Sequence, residues 1–139
     1  MTPHQVELVE QTMERAAQDL DAVVVDFYDR LFRAHPEVRG MFPEDMGEQR
    51  HKLEAMLRTV VASIRDHGRF EQACARLGAR HEGYGARAAH YEAVGSALLA
   101  ALGAALGDAW HEEERCAWQA ALELVSEVMQ GGQRAAVTA

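Results

Sequence analysis

Apolar residues recur along this chain at intervals of three and four rather than two, the spacing that puts one face of a helix against a core. Val6, Val9, Met13, Ala16 and Leu20 form the first such stripe, opened by Thr2 as an N-cap and Pro3 in the first turn. Val24, Phe27, Tyr28 and Leu31 form a second, which ends near "AHPE" because Pro36 biases His35 away from the helical region. The three consecutive valines of "AVVVDFY" favour a strand by propensity, but their flanks keep helical spacing and predict a helix. Pro36 opens a short helical turn that leads into "GMFPEDMG", a loop by its glycine and proline content.

From about Asp45 the periodicity resumes through Gln49, Leu53, Met56, Leu57, Val60 and Ile64, with Gly68 of "DHGR" as the expected C-terminal cap. Phe70, Cys74, Leu77, His81 and Tyr84 then share one face of a further helix, which "GYGAR" breaks. Tyr91, Val94, Leu98, Leu102 and Leu106 line a long helix ending at "LGD", and Trp118, Ala121, Leu122, Val125 and Met129 line a last one that "QGGQ" is expected to terminate. No segment alternates as a half-buried strand does. The pattern predicts an all-α fold of six main helices plus a short turn-like helix, in one domain over 1–132 with a flexible tail over 133–139.

Composition narrows the function classes. The 139 residues are 48% hydrophobic and 26% charged, the balance of a globular domain with a sizeable core. A net charge of −8 disfavours nucleic acid and anionic membrane surfaces, which require a basic face. The apolar run from Ala93 to Leu106 is shorter than the roughly 20 residues a membrane span requires, so no membrane insertion is expected. The N-terminal "MTPHQVELVEQ" carries neither a basic cluster nor an apolar signal core, which predicts a cytoplasmic protein. Cys74 and Cys116 lack metal-type spacing and are expected to be free thiols.

His81 is the residue with chemistry to explain. Imidazole is a common ligand for iron, copper and zinc, yet no His-x3-His, Glu-x-x-His or Cys-x-x-Cys accompanies it. Zinc and di-iron carboxylate sites therefore lack their ligands. Two readings stay open from spacing alone: a core histidine hydrogen-bonded to a neighbour, or the proximal ligand of a haem, whose macrocycle supplies the other ligands.

A family resemblance bears on that choice. "FYDRLFRAHPEVRGMF" resembles the second and third helices of bacterial single-domain globins, which are similar to the globin half of flavohaemoglobins, and includes Pro36 and Phe42 at the family's spacing. "EQRHKL" resembles the distal helix, and "LGARHEGYG" with "HYEAVGSALL" resembles the proximal helix and its successor. The likeness runs from Gln5 to about Met129. It implies a globin fold around a haem pocket holding haem b (iron protoporphyrin IX), with His81 on the iron and Phe42 stacked on the porphyrin. It implies Tyr28 and Gln49 as distal groups that stabilise a bound gas, Leu53 as the pocket roof and Lys52 as a partner for a haem propionate. Leu57, Leu77, Tyr91 and Val94 complete the implied lining.

Helical geometry turns His51 about 200° from Gln49, so it is expected to face away from the iron and leave a pentacoordinate centre. Three features depart from the family pattern, one being that "GARAAHY" lacks the proline often found in that connection. The proximal glutamate of flavohaemoglobins aligns with Gln133, and Thr12-Met13 stands where many relatives carry tryptophan. The resemblance implies reversible binding of dioxygen, nitric oxide and carbon monoxide. A second, enzymatic reading is nitric oxide dioxygenation, and because no nucleotide fingerprint follows, that activity is expected to need an external NAD(P)H-dependent reductase. Two further readings are a gas sensor acting through a partner and a haem-free helical interaction module.

Overall fold

Thr2 opens the first helix, α1 (Pro3–Ala16), with a reciprocal capping box. Its hydroxyl accepts from the Gln5 amide at 3.1 Å, and the Gln5 side chain accepts from the Thr2 amide at 3.0 Å. In the computed structural model the backbone of residues 1–83 and 88–138 is described, with the side chains of 1–75 and 90–129. A 3-10 turn (Ala17–Asp19) leads into α2 (Leu20–Ala34), which stops at His35, just before Pro36. A second 3-10 turn (Pro36–Met41) and a short loop precede α3 (Gly47–Ser63). Then come α4 (His67–Gly83), α5 (Ala88–Leu106), a 3-10 turn (Gly107–Ala109) and α6 (Glu112–Thr138). Gly107, at φ +50°, takes the left-handed conformation that ends α5. Among the described residues there is no strand, and the predicted all-α class holds.

Three local expectations change. Gly68 lies in the first turn of α4 and caps nothing. The Asp66 carboxylate accepts from the Arg69 amide at 3.2 Å and so starts the new helix where a C-cap was expected. The last helix runs on through Gly131 and Gly132 to Thr138. Two glycines weaken an established helix by about 1 kcal/mol each but leave its hydrogen bonds intact, and no proline follows to break it. The segment His90–Ala109 is long and apolar enough, by length and composition alone, to cross a membrane. Ala93, Ala97, Leu98, Ala101 and Leu102 of this segment are buried, and 22% of its apolar window is.

The helices pair α4 with α6, α1 with α6 and α2 with α5, while α3 touches both α2 and α4. Two hydrophobic clusters result. The larger includes Val9, Met13, Val24, Phe27, Tyr28, Leu31, Leu53, Leu57, Leu98, Leu102 and Trp118. The smaller gathers Val60, Phe70, Cys74 and Met129, with Tyr91 packed against it. Helix α3 contributes to both, through Leu53 and Leu57 to one and Val60 to the other. It therefore joins the face carrying Tyr28 to the face of α4 that continues toward His81.

Candidate functional site

Tyr28 and Gln49 are separated by 21 positions in sequence and meet in space. The Gln49 amide nitrogen donates to the Tyr28 phenol oxygen at 3.2 Å. Helical spacing aims both inward from adjacent helices, Tyr28 from the third turn of α2 and Gln49 from the first turn of α3. Tyr28 is buried, and burial holds its phenol above the ordinary value of 10.0 despite the opposing pull of the Gln49 hydrogen bond. The phenol is therefore a protonated donor throughout the neutral range. Because Gln49 donates to its oxygen, the phenolic proton remains available for another acceptor.

Three aromatic rings surround this pair. Phe27 meets Tyr28 edge-on at 4.8 Å between centroids, and Phe32 stacks on it at 5.7 Å. Phe42 approaches Tyr28 edge-on at 5.7 Å and Phe32 at 5.4 Å. Leu53 and Leu57 are buried in the same cluster, one and two turns beyond Gln49 on α3. The structure thus brings together five of the predicted residues: Tyr28, Phe42, Gln49, Leu53 and Leu57.

The others fall elsewhere. Lys52 is exposed, with its ammonium 4.0 Å from Glu48. His51 is 82% exposed and turned away from Gln49, as its helical angle requires. Tyr91 is half-buried against the smaller cluster. Val94 is exposed, at 37%. Helix α5 is apolar nearly all round, so periodicity alone does not choose which of its residues face inward. Leu77 and His81 lie on the backbone of α4, but their side chains fall outside the described residues, as do the side chain of Gln133 and the whole of Tyr84. A groove of about 470 Å³ between α2 and α5 is lined by Arg30, Arg33, His35 and small residues of α5, and includes none of the predicted set.

Sequence reasoning missed Arg39. Its guanidinium donates to the carbonyls of Phe42, Pro43 and Glu44 at 3.4, 3.0 and 3.1 Å, and sits 5.1 Å from the Phe32 ring centroid. The signal in the sequence was faint: a cation three residues before Phe42, beside a proline- and glycine-containing loop short of backbone partners.

No group of three or more His, Cys, Asp or Glu among the described residues could hold a bare metal ion. The described part of the site, a phenol with a carboxamide walled by phenylalanine and leucine, is compatible with a metal that arrives with its own in-plane ligands. An all-α fold of packed helices around that buried pair is the class the structure defines.

The comparisons narrow the class to one family. The sequence profile of the family Globin matches residues 25–129, and the chain belongs to that family, which implies haem binding. It is 29% identical over 134 residues to a flavohemoprotein of Rhizobium meliloti, covering 94% of this chain and 33% of that protein. A flavohemoprotein of Bordetella pertussis is 30% identical over 138 residues, covering 97% and 34% respectively. The chain thus spans about a third of the length of these curated relatives. Among solved structures, a bacterial globin from Campylobacter jejuni superposes with a TM-score of 0.88 at 20% identity, covering 99% of this chain and 100% of the other. An engineered carbene transferase, a candidate nitric oxide dioxygenase from Rhodothermus marinus, gives 0.88 at 25% identity and covers 99% and 96%.

Proposed function

We propose that this globin binds haem b through His81 and reversibly takes up dioxygen, nitric oxide and carbon monoxide at a pentacoordinate iron. The hydrogen bond from Gln49 to Tyr28 carries the reading. Haem, which His81 would hold, would supply an iron able to take up the gas. The chain supplies the rest. The Tyr28 hydroxyl offers its free proton to the partial negative charge on the distal oxygen of a bound gas. Gln49 keeps the phenol oriented by occupying its oxygen lone pair. Phe42, Leu53 and Leu57 keep water from the phenol and strengthen its hydrogen bond by lowering the local dielectric. Lys52, on the exposed face of α3, would pair with a propionate in exchange for its long contact with Glu48. Two free thiols, Cys74 buried and Cys116 exposed, support a reducing compartment and hence the cytoplasm.

Nitric oxide dioxygenation is the second reading, favoured by the likeness to flavohemoproteins and to the candidate dioxygenase. It would use the same phenol and carboxamide, and would need an external NAD(P)H-dependent reductase as its source of electrons.

Visible spectra of the purified chain, ferric, reduced and reduced with carbon monoxide, test haem binding directly. His81→Ala should abolish normal incorporation, and a colourless parent protein that takes up no added hemin would sink the reading. For the dioxygenase, nitric oxide consumption is followed with NADH and a reductase. Turnover no faster than that of protein-free haem removes it and leaves gas binding.

A further inference from the structure

We propose that Arg39 is the positioning residue that seats Phe42 over the haem site, an inference that rests on the haem-binding reading above. The segment from Phe42 to Met46 belongs to no helix. At its far end the Met46 carbonyl accepts from the Arg50 amide at 2.9 Å, and the Arg39 guanidinium takes up three carbonyls in a row at its start, those of Phe42, Pro43 and Glu44. Asp45 fastens the far end by accepting from the Gly47 amide at 2.9 Å. The positive charge of Arg39 is directed to carbonyl dipoles and to the Phe32 ring.

The geometry makes this an aromatic relay as well as a loop anchor. Arg39 lies over Phe32, Phe32 meets Phe42 edge-on, and both rings touch Tyr28. One planar fork thus fixes the backbone that carries Phe42 and one of the rings against which Phe42 rests. A lysine has no such fork and, as a compact point charge, cannot hold consecutive carbonyls while covering a ring. Tyr28 and Gln49 sit on α2 and α3, which their own buried leucines hold, so the distal pair survives loss of the clamp. Arg39 therefore acts on the pocket through Phe42.

A double-mutant cycle tests this. R39M, R39K, F42L and the R39M/F42L pair are compared in the full chain for hemin loss to a scavenger protein. Hydrogen exchange at the amides of Phe42 and Glu44 to Met46 is compared in the hemin-free chain. R39M is expected to speed hemin loss roughly ten- to a hundredfold, the scale set by hydrogen bonds to a charged group, and to speed exchange at those amides. R39K should recover less than half of either effect. In the F42L background, R39M should change hemin loss by less than about twofold, the scatter within which independent effects add. An equal R39M effect in both backgrounds would make Arg39 a general stabiliser and overturn the positioning role. A parent that holds hemin while R39M changes neither readout overturns that role alone. A parent that takes up no hemin overturns the haem reading and this inference together.

Discussion

The Tyr28 hydroxyl carries most of the chemistry at the residue scale. Burial raises its pKa and Gln49 occupies its oxygen, so a protonated donor faces the site across the neutral pH range. Tyr28→Phe removes that donor while keeping the ring contacts with Phe27, Phe32 and Phe42. A neutral hydrogen bond is worth about 0.5–1.5 kcal/mol net. Dioxygen release measured by stopped flow should therefore quicken roughly two- to tenfold, and autoxidation with it. Unchanged release would take Tyr28 out of the ligand-stabilising role.

Cys74 provides a second test, of stability. It is fully buried in the smaller cluster, and burial pushes its thiol up to about 11 from 9.0. The folded state then holds the thiol proton more tightly than the unfolded chain. That contribution is complete below the unfolded pKa near 9 and is lost as pH rises toward the folded value near 11. Urea unfolding at about pH 8, 9.5 and 11 should show stability falling across that window. In Cys74→Ala the fall should be shallower, and equal slopes in the two proteins would assign it to other groups.

Helix starts matter at the element scale because α4 carries His81, the iron ligand of the proposed function. Asp66 opens α4 by accepting from the Arg69 amide, and Phe70, one turn in, is buried beside Cys74. Asp66→Ala should cost about 1 kcal/mol, the usual worth of an N-cap. Chemical denaturation would register it as a lower midpoint with unchanged slope, and no change would mean that tertiary packing alone fixes the start of α4. The sequence showed a boundary at "DHGR" but assigned it to the wrong residue. A glycine between two periodic segments suits the end of one helix as well as the start of the next, and only the backbone path decides. Helix α5 posed a different problem. Its small apolar residues gave length and type, but nearly every face is apolar, so Val94 could not be placed from periodicity.

For the whole molecule, α3 touches both clusters and links the helix of Tyr28 to the helix of His81. A haem that binds only the folded chain would stabilise the fold by mass action. At a free hemin concentration roughly a thousandfold above Kd the gain is about 4 kcal/mol, or roughly 10 °C in Tm for a chain of this size. Differential scanning fluorimetry of the chain with and without hemin reads this directly. A Tm that ignores hemin would contradict haem binding.

The sequence by itself determined the class, the number of helices and the inward faces of α2 and α3, because a period of about 3.6 residues fixes which side chains share a face. That was enough to turn Tyr28 and Gln49 inward and His51 away, while the resemblance to bacterial globins, and not the period, assigned the first two to one site. Tertiary structure alone decided that the phenol and carboxamide are in hydrogen-bonding reach, that α6 continues through its paired glycines, and that Arg39 gathers three carbonyls of a loop. Those outcomes depend on where chain segments meet in space, and a one-dimensional pattern of polarity carries no distance between segments.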